Sequence, residues 1–377
     1  MNTPDLSSIH LALFLTRAVP LSVWERQGIL ERELALYLRL RPHLAGLSLV
    51  TCGGPEELRY QERLPGVRIL HNRWGFSPNA YSLLAPLLHR RALRQATVYK
   101  TNQLDGAWTA LLAGRLHRRP VIVRAGYPWA LNFRRAAGRE TFKGRLIRRL
   151  ERFSFRCADR VVVTTPQLRD YVAGEYGVPP DRIAVVPNFV DTEHFRPRPE
   201  IAPEAGRVLF VGTFNSAKNL PALIEAIARL PQAHLVLVGD GPLRAGLEAQ
   251  ATALGARVTF AGRLPNSRLP EEIARAEVFA LPSHYEGHPK ALIEALACGA
   301  AVVGTDVDGI RDVLRHEETG LLCPPTPEGI ATALGRLLGD PALRARLGRA
   351  AREFAVREYS LEHVMERELA VLAEVSR

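Results

Sequence analysis

Short apolar runs alternate with amphipathic helical patterns along the whole chain, and that alternation leaves few folds open. Runs with strand character occur at IHLALFL (9–15), LSLVT, VRIL, TVYKT, PVIVRA and RVVVTT, then at RVLFVGT, AHLVLVGD, RVTFAG, VFALPS and AAVVGT. Between them lie segments such as LPALIEAIARL (220–230), apolar at every third or fourth residue. Strands separated by helices are joined by crossovers, so they pair in parallel and are covered on both faces. An α/β protein with parallel sheets is therefore expected. At 377 residues the chain exceeds a comfortable single core, which favours two domains. The stretch VVPNFVDTEHFRPRPEIAPEAG (185–206), rich in proline and charge, reads as the hinge between them. Two such halves would hold a ligand in a cleft at the carboxyl ends of their strands.

Bulk properties exclude several classes. No window approaches the roughly 20 apolar residues of a membrane span. The apolar start lacks a basic flank and a small-residue cleavage site, so a secretory signal is not expected. Cys52, Cys157, Cys298 and Cys323 show no CxxC spacing, which suggests neither a zinc site nor a disulfide framework. A cytoplasmic protein is the expectation. The net charge of +11 is uneven: about +14 in residues 1–200 against about −3 in the remainder. Much of the excess falls in FRRAAGRETFKGRLIRRLERFSFR (133–156). An anionic membrane surface, a phosphate-bearing acceptor or nucleic acid would each suit it, as would plain solvation of a basic helix. Phe133, Phe142, Phe153 and Phe155 interleave with the arginines, yet no nucleic-acid motif accompanies them, and none is expected to bind.

Chemistry concentrates in the second half. LPSHYEGHPKALIEALACGAAVVGT (281–305) reads as strand, polar turn, helix, strand, with Glu286 before the helix and Glu294 inside it. Two glutamates at that spacing are by themselves what solvated surface gives. Pro289 suits the first helical turn, and the amides that follow would face an anion held in the turn. VLFVGTFNSAKNL (208–220) is a strand, a turn at Gly212, then Lys218 before a helix. An exposed lysine on a structural turn is the bland alternative there. LVLVGDGPL (235–243) is another strand with a Gly239–Gly241 turn, lacking the G-x-G-x-x-G spacing of a dinucleotide fold. Asp306 and Asp308 form a DxD, a metal-binding pattern that also arises by chance.

The order VGTFNSAKN, LVGDGPL, VTFAGRLP, LPSHYEGHPKALIEALACGAAVVGT, ETGLLCPP resembles the donor-binding half of glycosyltransferase family 4, closely over about 185–340. The resemblance implies a GT-B fold: two Rossmann-like domains facing each other across a cleft, residues 1–190 for the acceptor and 191–356 for a nucleotide-sugar donor. A helix over 357–377 would return to the first domain. It further implies a retaining transfer from a nucleotide-diphosphate sugar, used as co-substrate, to a hydroxyl acceptor in glycan, polysaccharide or glycolipid synthesis, without cofactor or metal. By position, Lys218 would meet the diphosphate, Glu286 the transferred sugar and Glu294 the ribose hydroxyls. Gly212, Thr213, Gly239, Gly241, Arg263, Gly287, His288, Pro289, Lys290 and Ala291 would complete the donor pocket, His288 serving either the donor or the turn alone.

Departures from the family pattern define what is particular here. Thr213 stands where many relatives have arginine, so the diphosphate would lean on Lys218, Lys290 or Arg263. His288-Pro289 replaces Phe-Gly. TRAVPLSVWERQG (16–28) replaces a glycine-rich loop, and Arg124, Gly126 and Tyr127 lie where a histidine is often found. The acceptor side is thus unassigned. A nucleotide-sugar-binding protein without catalysis is the alternative these departures raise. Peripheral association with the inner membrane face would follow if the basic segment contacts lipid.

Overall fold

The structure is a computed structural model, described for residues 6–137, 139 and 141–376. It divides into two compact units: one comprising residues up to Pro187 together with those from Val364 on, the other Asn188–His363.

The first unit is built on seven strands: β1 (His10–Phe14), β2 (Gly46–Val50), β3 (Val67–Leu70), β4 (Val98–Thr101), β5 (Val121–Ala125), β6 (Arg160–Val163) and β7 (Ile183–Val185). They lie in the order β3-β2-β1-β4-β5-β6-β7, and every pairing is parallel. Helices on both faces explain why residues such as Leu11, Leu13, Tyr99, Val123 and Val161 are buried on every side. The helix Leu361–Val375 brings Glu368 to Lys100 of β4 and Glu374 to Arg160 of β6, so the chain end belongs to this unit.

The second unit carries β8 (Glu204–Val211), β9 (His234–Val238), β10 (Val258–Gly262), β11 (Ala276–Leu281), β12 (Val302–Thr305) and β13 (Leu321–Cys323). Their order is β10-β9-β8-β11-β12-β13, again wholly parallel. The sheet grows outward from β8 in one direction and resumes at β11 in the other, which makes β8/β11 its topological switch point.

All eleven strands read from the sequence are present. The structure adds β7 and β13, each of three residues at the end of a sheet, too short to leave a periodic signal. The units part at Pro187/Asn188 and His363/Val364, where the sequence reading divided at 190/191 and 356/357. Two contacts decide this. Asn188 is already bonded to His288, and Val190 bridges Ser360 in parallel, with Val190 N–H donating to Tyr359 O at 2.8 Å and Leu361 N–H to Val190 O at 3.0 Å.

Candidate active site

The switch point of the second sheet opens between the turns that follow β8 and β11. The turn after β8 is held from its neighbour after β9. Gly212 N–H donates to Val238 O and Phe214 N–H to Asp240 O, both at 3.0 Å. Only glycine permits this packing. Gly239 has φ +140°, and a Cβ there would lie 1.8 Å from Gly212 O; a Cβ on Gly241 would lie 2.4 Å from Phe214 O. Beyond it, the Asn215 carboxamide accepts from Ala217 N–H and shapes a single 3₁₀ turn, Ser216–Lys218. Asn219, at φ +51°, reverses the chain into the helix Leu220–Ala228 and donates its side-chain N–H to Pro325 O at 3.1 Å. Lys218 is thereby displayed at the mouth of the crevice.

The turn after β11 is stitched to it. His284 N–H donates to Ala217 O at 2.8 Å, and Glu286 N–H to Asp308 O at 3.2 Å. Gly309, at φ +80°, lets the loop after β12 close on this turn, since a Cβ there would sit 2.4 Å from Glu286 O. The Glu286 carboxylate then receives two bonds on one oxygen: Lys218 Nζ at 2.6 Å and Ser283 Oγ at 2.6 Å, both to Oε1. Ser283 is fully buried, and its carbonyl accepts from Thr305 Oγ1 at 2.5 Å. Among the described residues Oε2 accepts no hydrogen bond, which leaves it for a ligand. An ammonium and a carboxylate thus face the crevice, each largely shielded from water, where charge–charge interactions are stronger than in bulk.

The remaining predicted residues lie as follows. Gly287 is half-buried beside Gly309, its carbonyl near that same Cβ position. His288 is buried; its Nδ1 accepts from Asn188 N–H at 3.2 Å, its carbonyl accepts from the Asn188 amide at 2.7 Å, and its ring meets Tyr359 edge-on at 5.2 Å. Pro289 lies just outside the helix rather than in its first turn, because its extended backbone (ψ 108°) lets its carbonyl take the Leu292 and Ile293 amides. The helix itself runs Lys290–Ala297. Lys290 places its ammonium 5.8 Å from the Phe189 ring centre, and Ala291 is half-buried next to it. Glu294 is buried on this helix; burial, with that carboxylate nearby, pushes the Cys298 thiol up to about 12. Thr213 is exposed. Arg263 is exposed after β10, the outermost strand, two strands removed from β8. Asp306 of the DxD is paired with Arg311, whose Nε bonds its carboxylate at 2.5 Å and holds it below the usual carboxylate range. Among the described residues no group of three or more His, Cys, Asp and Glu is set to ligate a metal.

Two family models adjoin along the chain, glycosyltransferase family 4 over residues 32–194 and glycosyl transferases group 1 over residues 191–354. The chain belongs to the family 4 type of GT-B glycosyltransferases. This glycosyltransferase is 29% identical over 303 residues to the alpha-D-kanosaminyltransferase of Streptomyces kanamyceticus, covering 74% of its own length and 78% of that protein. It is 34% identical over 226 residues to the lipopolysaccharide core biosynthesis glycosyltransferase LpsE of Rhizobium meliloti, covering 58% and 65%. Its fold matches Anabaena HepE, solved in complex with UDP and glucose, with a TM-score of 0.78 at 18% identity over 97% of this chain and 100% of that one.

Four residues of this glycosyltransferase's candidate site are not singled out by the sequence. Ser283 orients Glu286 and Thr305 supports Ser283; Asn219 turns Lys218 inward, and Asn188 engages His288. Ser283 stands three residues before Glu286, a spacing that signals a local side-chain bond. The others act through contacts that no local pattern reveals.

Proposed function

We propose that the second unit binds a nucleoside-diphosphate sugar in the crevice between the turns after β8 and β11, and that the enzyme transfers the sugar with retention of configuration. In this reading Lys218 Nζ and the amides opening the Lys290–Ala297 helix meet the diphosphate, Glu294 accepts from the ribose hydroxyls, and Glu286 lies beside the sugar. The observation that carries it is the 2.6 Å contact between Lys218 and Glu286 across the switch point. A lysine there supplies the positive charge that a departing diphosphate requires, so no metal need do so. The C1–oxygen bond to the diphosphate breaks and a bond from C1 to the acceptor hydroxyl oxygen forms on the same face. The hydroxyl proton passes to the departing phosphate oxygen. HepE with bound UDP and glucose supports the donor class, and LpsE supports a glycan or glycolipid acceptor. We infer a hydroxyl acceptor, lipid-linked or polymeric, met at the inner membrane face.

Turnover and donor hydrolysis across UDP-, GDP-, ADP- and TDP-sugars test this. Lys218→Ala is expected to lower kcat by roughly 10²–10³, Glu286→Gln to lower it comparably, and a chelator to change nothing. Proton spectra of the first-formed product should show the donor's anomer. Unchanged transfer in Lys218→Ala and Glu286→Ala would overturn the site; loss of activity on chelation would return the role to Asp306 and Asp308.

A further inference from the structure

The first unit exposes an apolar face that its fold does not use. The helix Pro78–Leu88 runs beside the helix Ala107–His117, held by Trp108 Nε1 donating to Ser82 Oγ at 3.1 Å and His117 Nε2 donating to Pro86 O at 3.2 Å. Those two contacts advance together along both helices, so they run in the same direction. Leu83 and Leu87 on one, Leu112 and Leu116 on the other, are each spaced by four, so each pair lies on one stripe of its own helix. All four are between 43 and 58% exposed. The helix Phe142–Cys157 packs against Ala107–His117 in turn and presents Phe142, Leu146 and Phe153 outward. Seven large apolar side chains on three neighbouring helices are more than scattered surface leucines, and such a patch marks an interaction surface.

Charge says what covers it. Residues 63–139 contain 14 lysines and arginines against a single acid, Asp105, which is itself paired with Arg17. Arg90, Arg91, Arg115 and Arg118 flank the leucines and are exposed. Arg145 and Arg149 flank the phenylalanines, likewise exposed, and the one acid of that helix, Glu151, is buried against Tyr176. A second copy of this face would bring arginines against arginines. An anionic bilayer instead offers apolar depth for leucine and phenylalanine and phosphate for the guanidinium rim. We propose that the joint outer face of these three helices, centred on Leu83, Leu87, Leu112 and Leu116, docks the enzyme on an anionic lipid surface. It extends beyond the basic segment 133–156 to the two helices beside it and does not depend on the donor assignment.

Co-sedimentation of the full chain with vesicles of phosphatidylcholine alone, or of phosphatidylcholine and phosphatidylglycerol in equal parts, tests the proposal. Capture by the anionic vesicles, weakened by salt, is expected, with little capture by the neutral ones. L83S/L87S/L112S/L116S should lower that partition by about 10-fold or more while tryptophan emission and donor hydrolysis stay as in the parent. R90Q/R91Q/R115Q/R118Q, which keeps the leucines, should abolish the preference for anionic lipid. Absence of vesicle capture at low salt, or equal capture of the serine variant, overturns the proposal. So does concentration-dependent self-association, or RNA retention, that the serine variant removes.

Discussion

Lys100 and Glu368 form a buried ion pair, each side chain 1% exposed, joining β4 to the C-terminal helix. Burial holds the lysine below its ordinary range even with Glu368 and its opposite charge in contact. Replacing one partner leaves the other charged and dry, which costs about 3–5 kcal/mol in such sites. Lys100→Met and Glu368→Gln are each expected to lose that much. The double replacement K100M/E368M should regain most or all of it. Glu368 Oε1 has no hydrogen-bond partner among the described residues, so the pair is incompletely satisfied and an apolar substitute gives up little. The assay has a built-in selector: Trp24, Trp74, Trp108 and Trp129 all belong to the first unit. Tryptophan emission in urea therefore follows that unit alone. With a slope of about 2–3 kcal/mol per molar, single variants should move the midpoint down by roughly 1–2 M. A single variant costing under about 1 kcal/mol, or a double variant no better than the worse single, would refute the claim that the two charges act as one unit.

Two further outcomes follow from other parts of the fold. His89 accepts from or donates to Tyr81 Oη at 2.8 Å and is held at about 4, chiefly by burial and then by His71 and Arg73. The unfolded chain binds a proton near 6.5 that the folded one refuses, so stability present above that pH is lost as pH falls toward 4, on the order of 2 kcal/mol; urea midpoints by tryptophan emission at neutral pH and near pH 4.5 should show it, and His89→Gln should flatten the slope. Gly239→Ala forces a Cβ into Gly212 O at a positive φ, and is expected to cost upward of about 3 kcal/mol, read as a lowered far-UV circular dichroism melting transition; an unchanged melt would show that the turns after β8 and β9 give way.

The sequence revealed the parallel sheets because buried parallel strands are near-continuous apolar runs. β7 and β13 escaped because three residues carry no period. Lys218 and Glu286 were visible through the turns that hold them, each directly after a strand. His288 was legible as a candidate but not in its surroundings: its partners, Asn188 and Tyr359, stand 100 and 71 residues away, and long-range contacts leave no local trace. Pro289 slipped by one position because a proline suits both the place before a helix and the first place within it. The basic bias of the first half was plain, yet its leucine face was not. Leu83 and Leu87 look like core residues in any periodicity, and only the packing of Pro78–Leu88 on its neighbour turns them outward.

The Lys100–Glu368 contact spans 268 residues of sequence, and that interval sets an order of events during synthesis. At about 5–20 residues per second, Lys100 emerges roughly 15–50 s before its partner exists. The whole of Asn188–His363 is made in between and carries a complete sheet of its own. The unit that begins first is consequently finished last, closed by the final helix. Until that helix has been made, Lys100 of β4 lacks the counter-charge it has in the folded unit.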